Sequence, residues 1–411
     1  MPQLNNADIV WMLISTAMVM IMTPTLAFFY GGLVRKKNIL SVLMQCMVIL
    51  CVISVQWVLF GYSLAFGPDV GGVIGALDWI GLRGVGLQPH DTYMSTIPHQ
   101  LFMAFQMMFA VITPALIIGA FVERIKFSAF LVFVILWATL IYDPLAHWVW
   151  AKDGWLAKIG ALDFAGGTVI HINAGIAALV FALMLGKREG VGHSRAPHNL
   201  PLCVLGAAFL WFGWFGFNAG SAGSAGTLAV TAFINTNTAA AAAGVSWMLL
   251  DWCYNKVPTM LGVATGLVAG LVAVTPAAGF VTPVSALAIG AISSVVCFIF
   301  VTKVKPFFGY DDSLDVFGVH GMGGIVGALA TGVFATKAVN PAGADGLLYG
   351  NPGQLWVQFI ATIAAIAFSA IGTAVLYKFV DLVIGMRVDT RDEYIGLDLT
   401  QHRETGYTVI E

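Results

Sequence analysis

Apolar stretches long enough to cross a lipid bilayer recur along the chain at roughly 9–31, 40–66, 99–121, 127–147, 166–186, 200–219, 228–250, 259–276, 283–302, 315–336 and 354–383. A spanning helix needs about 20 mostly apolar residues. Lipid offers the backbone no hydrogen-bond partner, so a chain crossing it must pair its own amides as helices or as a closed barrel. Stretches of this length fit helices. The breaks between them carry turn chemistry: Arg35-Lys36-Lys37, Pro68-Asp69, the glycines from Gly71, Gly220-Ser221-Ala222-Gly223 and Asn351-Pro352-Gly353. Spans 6 to 8 are rich in Gly and Ala, which suits close helix packing in lipid. Composition excludes the soluble alternative, because only 10% of residues are charged and 59% are hydrophobic, against roughly 25% charged in a soluble domain. The expected fold class is an all-α integral membrane protein of eleven transmembrane helices.

The basic residues orient it. With the N-terminus outside, the inner loops hold Arg35, Lys36, Lys37, Arg124, Lys126, Lys187, Arg188, Arg195, Lys256, Lys303 and Lys305, and the C-terminal segment adds Lys378, Arg387, Arg391 and Arg403. Only Arg83, Lys152, Lys158 and Lys337 fall outside. That bias follows the positive-inside rule and predicts an odd number of spans in a multi-pass cell membrane protein (plasma or inner membrane), N-terminus outside and C-terminus cytoplasmic. Met1 to Asp8 contains no Lys or Arg, so the first helix itself inserts or a leader has been removed. The expected organisation is a transmembrane domain over 1–384 and a cytoplasmic tail over 385–411. A net charge of −2 argues against a nucleic-acid partner. Five cysteines without CxxC spacing read as buried free thiols.

An odd number of spans per half lets the chain divide into two inverted repeats, spans 1–5 (about 9–186) and 6–10 (about 200–336), followed by helix eleven (about 354–383). Inverted repeats place their site where the halves meet, near the bilayer midplane. The last span of each half pairs an acid with a histidine: Asp163-Phe-Ala-Gly-Gly-Thr-Val-Ile-His171 and Asp315-Val-Phe-Gly-Val-His320. An ionisable side chain inside a span is a functional suspect, since burying a polar group unpaired costs a few kcal/mol. Two imidazoles from matching helices can satisfy each other, one N–H donated to the other ring's bare nitrogen, and such a pair can relay a proton. The alternative is that each ring merely bonds a backbone carbonyl. Asp163 and Asp315 read first as caps for helix-start amides.

Aromatic residues cluster toward the same ends of several spans. Phe105 and Phe109 lie four apart and share a face of span 3. Trp148 and Trp150 end span 4, and Trp211, Trp214, Phe215 and Phe217 crowd the end of span 6 before Ser221. Aromatic faces and hydroxyls can replace the water around a cation, at roughly 0.5–2 kcal/mol per cation–π contact. Taken singly, such rings are more often core or interfacial residues.

The stretches Phe28-Phe-Tyr-Gly-Gly-Leu-Val-Arg35, Gly160-Ala-Leu-Asp-Phe-Ala-Gly-Gly-Thr-Val-Ile-His171, Pro197-His-Asn-Leu-Pro201, Gly213-Trp-Phe-Gly-Phe-Asn-Ala-Gly-Ser221 and Asp315-Val-Phe-Gly-Val-His-Gly321 resemble the ammonium transporter family (the Amt, MEP and Rh superfamily), in its bacterial Amt branch. The resemblance covers nearly the whole chain. It implies a homotrimer of eleven-helix subunits, each with its own channel for ammonium or ammonia. It implies a recruitment site built from Phe109, Trp150 and Ser221, a gate in which Phe109 and Phe217 stack, and a pore lined by His171 and His320. Phe105, Trp214, Asp163 and Asp315 would support these, Asp315 as the second-half counterpart of Asp163. Tyr394-Ile-Gly-Leu-Asp398 and His402 to Tyr407 resemble the family's regulatory tail, which packs on the inner face and contributes to docking of a PII-type signalling protein. Arg403 departs from it, standing where a glycine is expected. Membrane lipids are the remaining partner.

Two rivals share features of this pattern. An ammonium sensor with little flux would share the pore lining. A membrane enzyme subunit would use the two histidines to ligate haem, yet no arginine lies within the spans to meet haem propionates. No catalytic triad, phosphate loop or metal-ligand spacing appears. The chain is expected to be no enzyme and to need no cofactor or metal.

Overall fold

The computed structural model describes residues 3–190 and 197–407. Arg195 of the expected inner basic set and the last four residues of the tail lie outside the described residues. The protein is a bundle of helices: α1 (Asn6–Leu33), α2 (Lys36–Phe66), α3 (His99–Ala120), α4 (Phe127–Lys158, broken after Trp150), α5 (Gly167–Leu185), α6 (Leu200–Gly220) and α7 (Thr227–Asn255) precede a short α8 (Met260–Val274). Then follow α9 (Pro283–Phe308), α10 (Phe317–Phe334) and α11 (Pro352–Val383). Two short tail helices complete the chain, α12 (Thr390–Ile395) and α13 (Leu397–His402).

Ten of these helices are long and apolar enough to cross a membrane. The expected span at 259–276 is α8, whose 15 residues reach about 22 Å at 1.5 Å per residue, short of the roughly 30 Å hydrocarbon core. Its second half, Gly266 to Val274, is buried throughout, so α8 is walled by protein on all sides there. The protein is thus a mostly helical multi-pass membrane protein, with ten helices of spanning length and one shorter apolar helix among the described residues. The most enclosed helices are α3 and α5, whereas α11 presents Ile371, Val375, Phe379 and Leu382 outward, as a lipid-facing helix must.

Five spans carry a π turn, at Trp57–Gly61, Ala138–Tyr142, Gly167–Ile172, Phe300–Val304 and Phe317–Gly321. Two of them form a matched pair, one opening α5 and one opening α10. Such turns are rare and concentrate at functional sites. Here the two that open α5 and α10 hold the two histidines. The helices that carry them cross at glycine: a Cβ on Gly175 would lie 2.2 Å from the Gly321 Cα, so α5 tolerates no side chain at the crossing.

At the tail end, charged loops interlock. Glu123 meets Arg35 and Arg188, Asp311 meets Arg188 and Arg124, and Glu393 meets Arg387. Burial alone would raise the carboxyls of Glu123 and Asp311, but Arg188 beside both, with Arg35 on Glu123, holds each down at about 2. The tail then docks by reciprocal capping. Asp398 Oδ1 accepts the Ser41 amide at 2.8 Å, at the start of α2, while Asn38 Oδ1 accepts the Leu397 amide at 2.8 Å, at the start of α13. All five cysteines are free, but only Cys46, Cys203 and Cys297 are buried. Cys51 and Cys253 face outward, where lipid and not a protein core receives an apolar thiol.

Candidate functional site

The site begins where α5 begins. Gly166 sits at φ +115°, a left-handed position that only glycine takes cheaply. From there the chain tightens into the π turn of α5, with the Gly166 carbonyl accepting from both Ile170 (2.9 Å) and His171 (3.1 Å). The free amides at this helix start all find one carboxylate. Asp163 Oδ1 accepts from Gly166 and Gly167, and Oδ2 from Thr168 and Val169, at 2.7 to 3.1 Å. That is the capping role expected of Asp163. Its backbone oxygen does a second job, accepting the Trp150 indole N–H at 3.0 Å.

The corresponding role in the second half does not fall to Asp315. Asp312 stands eight residues before His320, as Asp163 stands eight before His171. Asp312 is wholly buried and accepts the Phe317 amide at 2.7 Å, and burial pushes its carboxyl up to about 6 despite nearby Lys305. Asp315, at φ +58°, turns its carboxylate to Lys305 instead. Three residues after Asp312, Asp315 has its carboxylate on Lys305 and not on the helix-start amides, and it borders the wide cavity at the tail end.

Above the histidines the rings form a chain of contacts. Phe105 packs on Phe109 with centroids 4.8 Å apart, Phe109 meets Trp150 edge-on at 5.9 Å, and Phe109 meets Phe217 at 4.5 Å. The Phe109–Phe217 pair is tilted by 46° and not stacked flat, as ring quadrupoles prefer. Tilted or flat, two buried rings at 4.5 Å leave no lumen between them. Ser221 ends the same helix as Phe217 and donates its hydroxyl to the Phe217 carbonyl at 2.8 Å, leaving its oxygen lone pairs available as acceptors.

Phe217 leads to the histidines. His171 lies against Phe217 at 6.1 Å and nearly parallel to Trp214 at 5.4 Å, and Trp214 is itself fixed by its indole donating to Thr275 at 2.9 Å. The two imidazoles meet through their Nδ1 atoms at 3.3 Å, rings 19° from parallel. One nitrogen of that contact carries hydrogen and the other does not. His171 Nε2 is buried without a hydrogen-bond partner, an arrangement that costs about 1–3 kcal/mol unless something fills it. Both rings line a narrow cavity of about 10 Å³ whose other walls are Met22, Leu26, Phe29, Ile112, Leu116, Leu210, Trp214, Phe217 and Val268. Phe29, Val268 and His320 are shared with a wider cavity of about 210 Å³ toward the tail end, where Thr265, Ser313 and Asp315 supply polar atoms.

The structure therefore brings Phe105, Phe109, Trp150, Phe217, Trp214, His171 and His320 into one continuous line, with Asp163 behind Trp150. Asp312, Thr265, Thr275 and the apolar walls from α1 and α8 were missed in the sequence. The walls have no polar signal to betray them, but the equal acid-to-histidine spacing of the two halves would have found Asp312. Among the described residues no group of three or more His, Cys, Asp or Glu could hold a metal ion.

Comparison with known proteins gives the arrangement a lineage. Residues 10–407 match the model of the Ammonium Transporter Family. The chain is 54% identical to the ammonium transporter of Bacillus subtilis (strain 168) over 404 residues, covering 98% of this chain and 99% of that one. It superposes on the crystal structure of Saccharomyces cerevisiae Mep2 with a TM-score of 0.89 at 38% identity, covering 94% of this chain and 88% of that one. It also superposes on a structure described as a sensor Amt protein, with a TM-score of 0.88 at 31% identity, covering 96% and 98% of the two chains. A match over nearly the whole length, to the family model and to full-length relatives alike, means that this chain belongs to the Ammonium Transporter Family.

Proposed function

We propose that the protein conducts ammonium, as ammonia plus a proton or as ammonia alone, through a channel within each subunit. The observation that carries this reading is the unpartnered His171 Nε2 in an otherwise apolar cavity. A dry tube with isolated imidazole nitrogens suits a small neutral hydrogen-bonding molecule and rejects a hydrated ion. Ammonium is recruited by the faces and edges of Phe109 and Trp150 and by the Ser221 oxygen, which together replace lost water. It is an acid of about lysine's strength, so it arrives charged and gives up its proton near the Phe109–Phe217 gate, to outer water where ammonia crosses alone or to the His171–His320 pair where the proton crosses as well. Ammonia then passes His171 and His320 into the wider cavity. Potassium has no proton to give and stops at the gate.

The same reading places the N-terminus outside and the tail in the cytoplasm, where Arg35, Arg124, Arg188 and Arg387 gather. The matched π turns support two inverted repeats, about 9–186 and 200–336, followed by α11, with the tail beginning near 385. Assembly is as a homotrimer, and the docked tail offers a surface to a PII-type protein. The transport reading is favoured over a sensor by the relatives named ammonium transporters, that of Bacillus subtilis at 54% identity against 31% for the sensor Amt protein. Flux into proteoliposomes, followed by an internal pH dye after an ammonium jump, tests it. The wild type gives a fast transient, and Phe217→Trp, which fills the gate, reduces it at least tenfold; equal transients from the two would refute a path through the gate.

A further inference from the structure

Asp69, which the mechanism does not use, and His147, wholly buried three residues before Trp150, form a second polar centre. Both His147 ring nitrogens face acceptors: Nδ1 lies 2.9 Å from the Ala65 carbonyl oxygen, and Nε2 lies 2.9 Å from Asp69 Oδ1. Nδ1 donates to the Ala65 carbonyl, which can only accept, and Nε2 shares a hydrogen with the Asp69 carboxyl. The His147 hydrogen bond is the main influence holding the Asp69 carboxyl below the usual carboxylate range.

Asp69 also organises its own loop. It opens a small hairpin, Asp69–Val70 paired with Ile74–Gly75, whose turn passes through Gly71 and Gly72 at φ +67° and +77°. Asp69 Oδ1 accepts the Gly72 amide at 2.7 Å. The hairpin then grips the chain around Trp150 at two more points: Val73 O accepts the Trp148 indole at 2.8 Å, and Gly72 O accepts the Trp155 amide at 3.1 Å. On the far side the chain folds back so tightly that a Cβ on Gly154 would lie 2.0 Å from the His147 oxygen. Trp150 is thus held between anchors at His147, Trp148 and Trp155, and its indole reaches Phe109.

We propose that Asp69 and His147 are positioning residues for recruitment: the pair latches the hairpin to the last turn of α4 and so fixes where the Trp150 ring stands over Phe109. This rests on the reading of Trp150 as a recruiting ring. A pair serving only to stabilise the fold would lower the amount of folded protein without changing substrate affinity.

Ammonium uptake by reconstituted wild type, Asp69→Ala, Asp69→Asn, Trp150→Leu and the Asp69→Ala/Trp150→Leu double variant separates these, with KM and maximal rate per folded protein measured for each. Asp69→Ala should raise KM about fivefold, the worth of roughly one cation–π contact, with maximal rate within about twofold. Asp69→Asn should restore most of the affinity, because it keeps an oxygen at the one position that both the Gly72 amide and His147 Nε2 face. The double variant should be no worse than Trp150→Leu alone, since a latch has nothing to position once the ring is gone. An unchanged KM in Asp69→Ala, or effects that multiply in the double variant, would overturn the latch while leaving recruitment intact. An unchanged KM in Trp150→Leu would overturn the recruiting ring itself, and the latch with it.

Discussion

At the scale of single residues the site is a set of side chains whose alternatives are used up. Asp163 spends both carboxylate oxygens on four helix-start amides, so it serves the structure of α5, and through its carbonyl the placement of Trp150. Asp163→Ala leaves those buried amides unpaired at about 1–3 kcal/mol each, before relaxation. The expected result is a lower melting temperature in detergent together with loss of transport, whereas Asp163→Asn, keeping one acceptor oxygen, should lose less of both. The histidines and the paired Phe residues were readable in the sequence because burial makes a polar residue in a span conspicuous and because helical periodicity puts Phe105 and Phe109 on one face. Asp315 was misread for a physical reason. Capping depends on register to within a residue, and nearness to the histidine was a poor guide to it when Asp312 shared the spacing of the first half.

At the scale of elements, long apolar stretches announced ten helices, but α8 was read as a full span because its apolar run continues through the turn after Thr275. Hydropathy does not register where a helix stops. Nor does it show π turns such as those that open α5 and α10. The contact at Gly175 and Gly321 has only backbone on the far side, so Gly175→Ala must push the helices apart. It should destabilise the fold by about 1–3 kcal/mol and abolish flux, read by thermal melting and the pH-dye assay. The tail was legible as polar and, through the family resemblance alone, as a segment that packs against the bundle. Its docking depends on carboxylates held by arginines, and the sign of its pH response follows. Glu123 and Asp311 are held at about 2, below an ordinary value of about 4. Their stabilisation is therefore complete above about pH 4 and is lost as pH falls from there through about 2. Amide hydrogen exchange in 386–402 should stay slow down to about pH 4 and rise below it. Arg403 occupies a left-handed position at φ +58°, ending α13, where a glycine fits without strain. Arg403→Gly should stabilise the docked tail by up to about 1 kcal/mol, seen as slower exchange of the same amides.

At the scale of the whole molecule, α5 and α10, each opening in a histidine-bearing π turn, converge on one narrow apolar cavity between the Phe109–Phe217 ring pair and a wider polar cavity. The membrane class, and the existence of a paired histidine centre, could be read from the chain because both follow from what lipid forbids. The passage's walls could not, since Met22, Leu26, Leu210 and Val268 look like any other lipid-compatible residues until the fold brings them together. The central claim is that this passage is a selective ammonium conduit. The most direct measurement is the current evoked by ammonium in proteoliposomes of purified protein, with the pH-dye transient alongside and potassium as control, for wild type and His171→Ala/His320→Ala. The account predicts an ammonium response by current or by pH transient in the wild type and no potassium current, with the double variant losing the response or admitting potassium. An unaltered response in the double variant, or neither current nor transient from well-folded wild type, would contradict it.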